Sequence, residues 1–136
     1  MEDFDISFDV SSQTNGCAAS DLLRSPGRKV WGVLYRLSDE GFEKLKNIEG
    51  PRYESIPIRV SNRDGEELEA TTFLVKPNER RTSLATSAAY VSWIIYGLRD
   101  HGVPQNYISH VVEVALETNQ RAGATAAEQI RLIKTL

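Results

Sequence analysis

A hairpin signal in the middle of the chain is the feature that most restricts the fold. Between Tyr53 and Ser61, apolar and polar residues alternate, which places one face of a strand against a core and the other in water. Asn62–Gly65 reads NRDG, and its Asp-Gly pair supplies the positive φ that tight hairpin turns need. Glu67–Val75 then returns as the partner strand. The sequence therefore predicts an antiparallel pair here.

A short amphipathic helix is predicted just before this hairpin. Ser38 is a suitable N-cap, and the two residues after it are acidic, as the helix dipole prefers. Gly50 and Pro51 end the helix, because glycine favours the C-terminal cap and proline prevents continuation. Glu49 is therefore expected at the mouth of a helix-to-strand connection. The apolar face recurs at a spacing of three and consists of Phe42, Leu45 and Ile48.

Three further strands are predicted in the N-terminal part of the chain. Asp3–Val10 alternates with period two, and Cys17–Ala19 is expected to form a short strand. Ser25–Gly27 (SPG) is a turn signal. Lys29–Leu37 is apolar on nearly both faces, as expected of a central strand, and Gly32 within it suggests a bulge or a close backbone approach. These patterns favour a largely antiparallel sheet.

Helices are predicted for the rest of the chain. Ala88–His101 and Pro104–Thr118 carry apolar residues at helical spacing, with Asn119–Gly123 as a link to a C-terminal helix at Ala124–Leu136. Strands followed by helices indicate the α+β class. A length of 136 residues favours one domain, and we assign residues 1–136 to it.

Composition narrows the function. A net charge of −3 argues against nucleic acid as a partner, since such binding needs clustered positive charge.

Cys17 is the only cysteine, so a reducing compartment is the simplest interpretation. Two histidines, His101 and His110, with no Cys/His cluster make a zinc site unexpected. No apolar run approaches the roughly 20 residues of a membrane helix. The N-terminus lacks the features of a signal peptide. We expect a cytoplasmic protein without metal or membrane contact.

The order of several motifs resembles the γ-glutamylcyclotransferase-like family. The matching pieces are Val30–Ser38 (VWGVLYRLS), Leu45–Gly50 (LKNIEG), Tyr53 at the start of a strand, and Tyr90–Tyr107 with its Gly-Val-Pro sequence. The resemblance covers most of the chain. It implies a small mixed β-sheet or barrel with flanking helices.

The resemblance also implies an activity. In this family the glutamate that matches Glu49 is the general acid/base, and a γ-glutamyl group cyclises to 5-oxoproline with release of an amine or amino acid. The tyrosine matching Tyr90 would contact the small γ-glutamyl substrate, and Tyr53 would lie near Glu49. No cofactor is implied, because the substrate carries its own nucleophile.

From spacing alone, Glu49 would be an ordinary glutamate at a helix end. A carboxylate becomes a useful acid/base when burial raises its pKa towards neutrality. Apolar neighbours that could bury it are Trp31, Tyr35, Ile48 and Tyr53. Two further aromatic residues, Trp93 and Tyr96, are three apart on a helix and could form a patch that faces a partner, but packing in the core is the favoured interpretation.

One element of the family pattern has no counterpart before Met1, namely a first strand that leads into a Tyr-Gly-Ser-Asn loop. The resemblance thus leaves three interpretations open. The chain is a shortened but active cyclotransferase, its start lies upstream, or it is a catalytically impaired homologue that acts as an interaction module. The absent strand would also leave an unpaired strand edge, which could support a homodimer.

Overall fold

The computed structural model describes residues 1–136 and contains two antiparallel hairpins and four α-helices. The elements in chain order are β1 (Glu2–Ser12), β2 (Cys17–Lys29), α1 (Asp39–Glu49), β3 (Tyr53–Ser61), β4 (Glu67–Val75), α2 (Ala88–Asp100), α3 (Gln105–Ala122) and α4 (Ala127–Ile133), with short 3₁₀ turns at Pro77–Glu79 and Ala124–Ala126. The α+β class is confirmed. The strands form two separate two-stranded sheets, and no barrel closes.

The first hairpin is longer than predicted. The strand expected at Cys17–Ala19 runs to Lys29, and the turn expected at Ser25–Gly27 is a bulge inside it. The register jumps from Phe4 opposite Arg24 to Glu2 opposite Lys29. Gly27 takes a φ of 81°, and its N–H donates to Asp3 Oδ1 at 2.9 Å. The turn residues therefore bend the strand without ending it, because β1 continues to supply a partner.

The prediction of a central strand at Lys29–Leu37 is wrong. Lys29 ends β2, and residues 31–37 form no regular structure and no backbone–backbone hydrogen bond. A Cβ added at Gly32 would meet no atom within 4 Å, so no close approach explains this glycine. The apolar pattern indicates only that these residues favour burial, whereas a β-strand also needs a neighbouring strand for its backbone hydrogen bonds. The segment 30–38 leaves large side chains exposed, namely Trp31, Val33, Leu34, Tyr35 and Leu37.

The helix and hairpin at the centre of the chain are confirmed. Ser38 Oγ accepts a hydrogen bond from Gly41 N at 3.0 Å, which caps α1. Strands β3 and β4 pair without a register break. Phe42 of α1 stacks on Phe73 of β4 with ring centroids 5.8 Å apart, which holds the helix against the hairpin. The local signals sufficed here because caps and tight turns involve only near neighbours.

Helix α3 continues past its predicted end. The segment Asn119–Gly123, expected to be a flexible link, is helical up to Ala122. Asn119 is fully buried, and its side chain accepts from Thr86 N at 2.8 Å and donates to Thr86 O at 3.0 Å. A residue that reads as loop-forming is therefore fixed by a tertiary contact. The predicted C-terminal helix is present as α4 and the 3₁₀ turn before it.

The main core lies between the first hairpin and the helices α2, α3 and α4. Its fully buried members include Phe8, Val91, Ile95, Val111 and Ile133. The core placement predicted for Trp93 and Tyr96 is wrong, because these side chains are 69% and 54% exposed. None of the helices combines the length and the apolar composition needed to cross a bilayer.

The second hairpin joins the first through a buried ionic network. Arg80 follows β4, and its Nη1 donates to Asp9 Oδ2 at 2.8 Å while its Nη2 donates to Asp21 Oδ2 at 3.1 Å. Asp21 also accepts from Val75 N, with an N–Oδ2 distance of 3.1 Å. The side chains of Arg80, Asp9 and Asp21 are only 18%, 12% and 3% exposed. One guanidinium thus links β1, β2 and the end of β4.

We expect Arg80→Ala to lower the free energy of unfolding by about 3–5 kcal/mol, because it leaves two buried carboxylates without a cation. Urea unfolding monitored by circular dichroism measures the change. The matched control is Arg81→Ala, since Arg81 is exposed and its side chain bonds only to the carbonyls of Asn78 and Arg80. This control should change stability by less than about 0.5 kcal/mol. Equal effects of the two substitutions would contradict the role given to the network.

Candidate functional site

A cleft of about 490 Å³ lies where the two hairpins, α2 and the end of α1 meet. All three site residues predicted from the sequence, Glu49, Tyr53 and Tyr90, line this cleft. They come from the last residue of α1, the first residue of β3 and the first turn of α2. Residues remote in sequence are therefore gathered around one space that is large enough for a small molecule.

Glu49 reaches the cleft because α1 stops where it does. Gly50 takes a φ of 80°, and its N–H donates to Lys46 O at 3.1 Å, which ends the helix. The side chain of Glu49 is half-buried and forms neither a hydrogen bond nor an ion pair. Burial raises the pKa of its carboxyl group, and the negative end of the helix dipole acts in the same direction. An unpaired carboxyl group with a raised pKa can both accept and return a proton.

Tyr53 is held next to this helix end by a tight connection. Its backbone N–H donates to Gly50 O at 3.3 Å. Burial raises the pKa of the Tyr53 hydroxyl, and the negative charges of Asp21 and Glu49 raise it further, while Arg52 opposes them. The hydroxyl therefore stays protonated and can donate a hydrogen bond into the cleft.

Tyr90 is anchored from the opposite wall. Its hydroxyl oxygen accepts from Ser20 N at 2.9 Å and lies 3.0 Å from Ser20 Oγ. Its ring packs edge-on against Phe8, with centroids 6.4 Å apart. The hydrogen bond from Ser20 N–H uses one acceptor site of the Tyr90 hydroxyl oxygen. The hydroxyl proton of Tyr90 therefore remains available to Ser20 Oγ or to a ligand.

The predicted shielding of Glu49 is only partly correct. Trp31 and Tyr53 line the cleft, as expected. Tyr35 and Ile48 do not shield the carboxyl group, because they are 71% and 80% exposed. The remaining cover comes from the first hairpin and α2, which sequence spacing could not place beside α1.

Several cleft residues were missed by the sequence analysis. Ser20 and Asp21 lie in β2, beyond the predicted end of that strand, and Arg52 directly precedes Tyr53. Tyr107 of α3 also lines the cleft, and burial raises its pKa to about 12. Period-two patterning across a longer β2 would have placed Ser20, and adjacency to Tyr53 could have drawn attention to Arg52.

The remaining ionisable candidates lie elsewhere. His101 caps α2 through an Nδ1–Gly97 O contact of 2.8 Å. His110 Nε2 lies 2.7 Å from Asp5 Oδ1 and joins α3 to β1. Neither histidine lines the cleft. No group of three or more His, Cys, Asp or Glu side chains is arranged to hold a metal ion.

Two solved structures share this arrangement of hairpins and helices. A γ-glutamyl cyclotransferase superimposes with a TM-score of 0.74 at 24% sequence identity, over 82% of this chain and 68% of that chain. A crystal structure of an uncharacterized human protein gives a TM-score of 0.73 at 26% identity, with the same coverage. The fold is therefore γ-glutamylcyclotransferase-like.

Sequence comparison leads to the same group of proteins. The profile of the AIG2-like family matches residues 29–111. The mouse γ-glutamylcyclotransferase is 30% identical over 142 residues, which span 98% of this chain and 72% of the mouse protein. The human γ-glutamylcyclotransferase is 28% identical over 141 residues, with the same coverage. The chain belongs to the AIG2-like family, and its relatives include these γ-glutamylcyclotransferases.

We expect Glu49→Gln to stabilise the fold at neutral pH. The pKa of Glu49 is higher in the folded state than in the unfolded state. Its ionised carboxylate therefore destabilises the fold once the pH exceeds the pKa of the unfolded state. Glutamine removes that cost, so the gain in melting temperature should grow as the pH rises from 4 to 7. Differential scanning calorimetry across this range measures it. The control Glu43→Gln lies on the exposed part of α1 and should leave the melting temperature unchanged. A lower melting temperature for Glu49→Gln at pH 7 would contradict the burial argument.

Proposed function

We propose that the chain is a γ-glutamylcyclotransferase that converts the γ-glutamyl group of a small substrate into 5-oxoproline and releases an amine or amino acid. The observation that carries the proposal is Glu49, an unpaired and partly buried carboxyl group in the cleft of a chain with γ-glutamylcyclotransferase relatives. A structural glutamate in such a place would be expected to have a partner.

The proposed reaction needs only proton transfer and charge stabilisation. The carboxylate of Glu49 accepts a proton from the α-ammonium group, and the freed amine attacks the γ-carbonyl carbon of the same molecule. Ring closure is favoured because the nucleophile is already tethered. The carboxyl group of Glu49 then returns the proton to the departing nitrogen as the amide C–N bond breaks. The ring nitrogen gives up its second proton to the regenerated carboxylate, which passes it to the released amine. No proton is consumed overall.

Two hydroxyl groups are suited to support this chemistry. Tyr53 keeps its proton because its pKa is raised, so it can donate to the oxygen that becomes negative in the tetrahedral intermediate. Tyr90 is fixed by Ser20 and can present its hydroxyl to the substrate from the opposite wall. In this proposal Glu49 performs the proton transfers, and the two tyrosines bind and orient the γ-glutamyl group.

We expect Glu49→Gln to lower the rate of 5-oxoproline release by at least about 10²–10⁴-fold, the usual contribution of a general acid/base. Release from a panel of γ-glutamyl amines, quantified by mass spectrometry, measures the rate. The control Glu43→Gln changes an exposed glutamate of the same helix and should retain full activity. Unchanged activity of Glu49→Gln, with the fold intact by circular dichroism, would refute the assignment.

A second candidate function is self-association through the segment 30–38. Residues 31–37 form no hydrogen bond between their backbone and that of any other residue, and five apolar side chains of this segment are exposed. Two antiparallel copies of this segment would satisfy each other's backbone groups in a two-fold symmetric contact. Given the aromatic and aliphatic side chains involved, such pairing would bury roughly 1,000 Å² in total, near the lower limit of specific interfaces. We propose a homodimer built on this segment, which is compatible with the enzymatic function.

We expect the protein to form a dimer at micromolar concentration and Tyr35→Glu to shift it to the monomer, because the substitution places a charge in the paired segment. Size-exclusion chromatography with light scattering measures the mass. Ile48→Glu is the matched control, since Ile48 is 80% exposed but lies outside the segment. A monomeric wild-type protein at high concentration would contradict the homodimer.

A further inference from the structure

Arg52 is the only cationic residue that lines the cleft. The other charged residues of the lining are Asp21 and Glu49. Asp21 is already occupied by Arg80 and the Val75 amide, whereas Glu49 has no partner. The cleft therefore contains one free anionic group and one cation, separated by only two residues in the sequence.

The position of Arg52 is fixed by contacts on both its backbone and its side chain. Its carbonyl oxygen accepts from Lys76 N at 2.8 Å, and its Nη1 donates to Ser11 O at 2.9 Å. Arg52 forms no ion pair, although the protein contains seven contacts between a Lys or Arg side chain and a carboxylate elsewhere. A guanidinium has five N–H donors, so most of its capacity remains available.

Arg52 lines the cleft together with Glu49 and Tyr53, so its charge lies near the proposed reacting groups. Arg52 lowers the pKa of the Tyr53 hydroxyl, while Glu49 and Asp21 raise it, so all three charges act on the same point of the cleft. The Ser11 contact uses a neutral carbonyl oxygen and leaves the positive charge uncompensated. Such a guanidinium is suited to bind a planar carboxylate with two parallel hydrogen bonds.

The α-carboxylate of the proposed substrate is the group that the Arg52 guanidinium is suited to bind. In a γ-glutamyl group the α-amine and the α-carboxylate are attached to the same carbon, so an amine held at Glu49 brings the carboxylate close to it. We propose that Arg52 binds this α-carboxylate, and that the cleft selects γ-glutamyl compounds whose α-carboxylate is free. Esters and amides of that carboxylate would then be poor substrates. This inference rests on the proposed function, but its binding step can be tested without turnover.

The binding test compares 5-oxoproline with 2-pyrrolidinone, which has the same ring without the carboxylate. We expect isothermal titration to show binding of 5-oxoproline, a loss of about 10- to 100-fold in Arg52→Gln, and an intermediate loss in Arg52→Lys. Glutamine is shorter than arginine and loses the Ser11 contact together with the charge, so Arg52→Lys, which keeps the charge, separates the two effects. Arg81→Gln, an exposed arginine outside the cleft, is the control and should bind normally.

The kinetic arm separates this inference from the proposed function. Arg52→Gln should raise KM for a γ-glutamyl amine by about 10- to 100-fold and change kcat less, because the carboxylate takes no part in bond formation. If the protein binds 5-oxoproline through Arg52 but releases none from any donor, the proposed function fails and the carboxylate site stands. If 5-oxoproline is released and Arg52→Gln leaves KM unchanged, the carboxylate site fails. Failure of the wild type to prefer 5-oxoproline over 2-pyrrolidinone would also overturn it.

Discussion

The buried pairing of Arg80 with Asp9 and Asp21 is the interaction on which the rest of the structure depends. The two hairpins share no strand pairing, so they form separate sheets. The links between them include the guanidinium between β1 and β2, the hydrogen bond from Val75 N–H to Asp21, and the small cluster of Val10, Ala19 and Val75. Hydrogen bonds from Arg52 to Ser11 O and from Arg81 N to Asp9 O add to them. Because an unpaired buried charge is strongly unfavourable, this network specifies one docking of the second hairpin. The cleft exists only in that docking.

Two carboxyl groups of the cleft show how the same physical effect can serve different purposes. Burial raises the pKa of both Asp21 and Glu49. Asp21 is opposed by backbone hydrogen bonds and by Arg80, and it holds the hairpins together. Glu49 has no opposing partner, as expected for the general acid/base that we propose. Hydrogen bonds, not the direction of the pKa change, therefore distinguish the acid that holds the hairpins together from the proposed acid/base.

The sequence predicted the fold wherever a signal was local. The Ser38 cap, the Gly50 stop, the Asp64-Gly65 turn and the alternation in β1 all involve neighbours within a few residues, and each is confirmed. The secondary-structure predictions fail where a residue distant in the sequence determines the local structure. Residues 31–37 lack a strand to pair with, and Asn119 is held in a helix by Thr86. Of the cleft residues, the family resemblance supplied Glu49, Tyr53 and Tyr90. Ser20, Asp21 and Arg52 were not predicted, because no motif marks them and only the tertiary structure brings them to the cleft.

The sequence by itself determined the α+β class, the end of α1 at Glu49, the central hairpin and the membership of the AIG2-like family. Each follows from patterns that neighbouring residues or ordered motifs define. Only the tertiary structure decided that Glu49 is unpaired, that Tyr90 is fixed by Ser20, and that Arg52 faces the same space as the carboxyl group. The reason is that burial and charge pairing depend on which distant segments pack together. Here the buried Arg80 determines how the two hairpins pack.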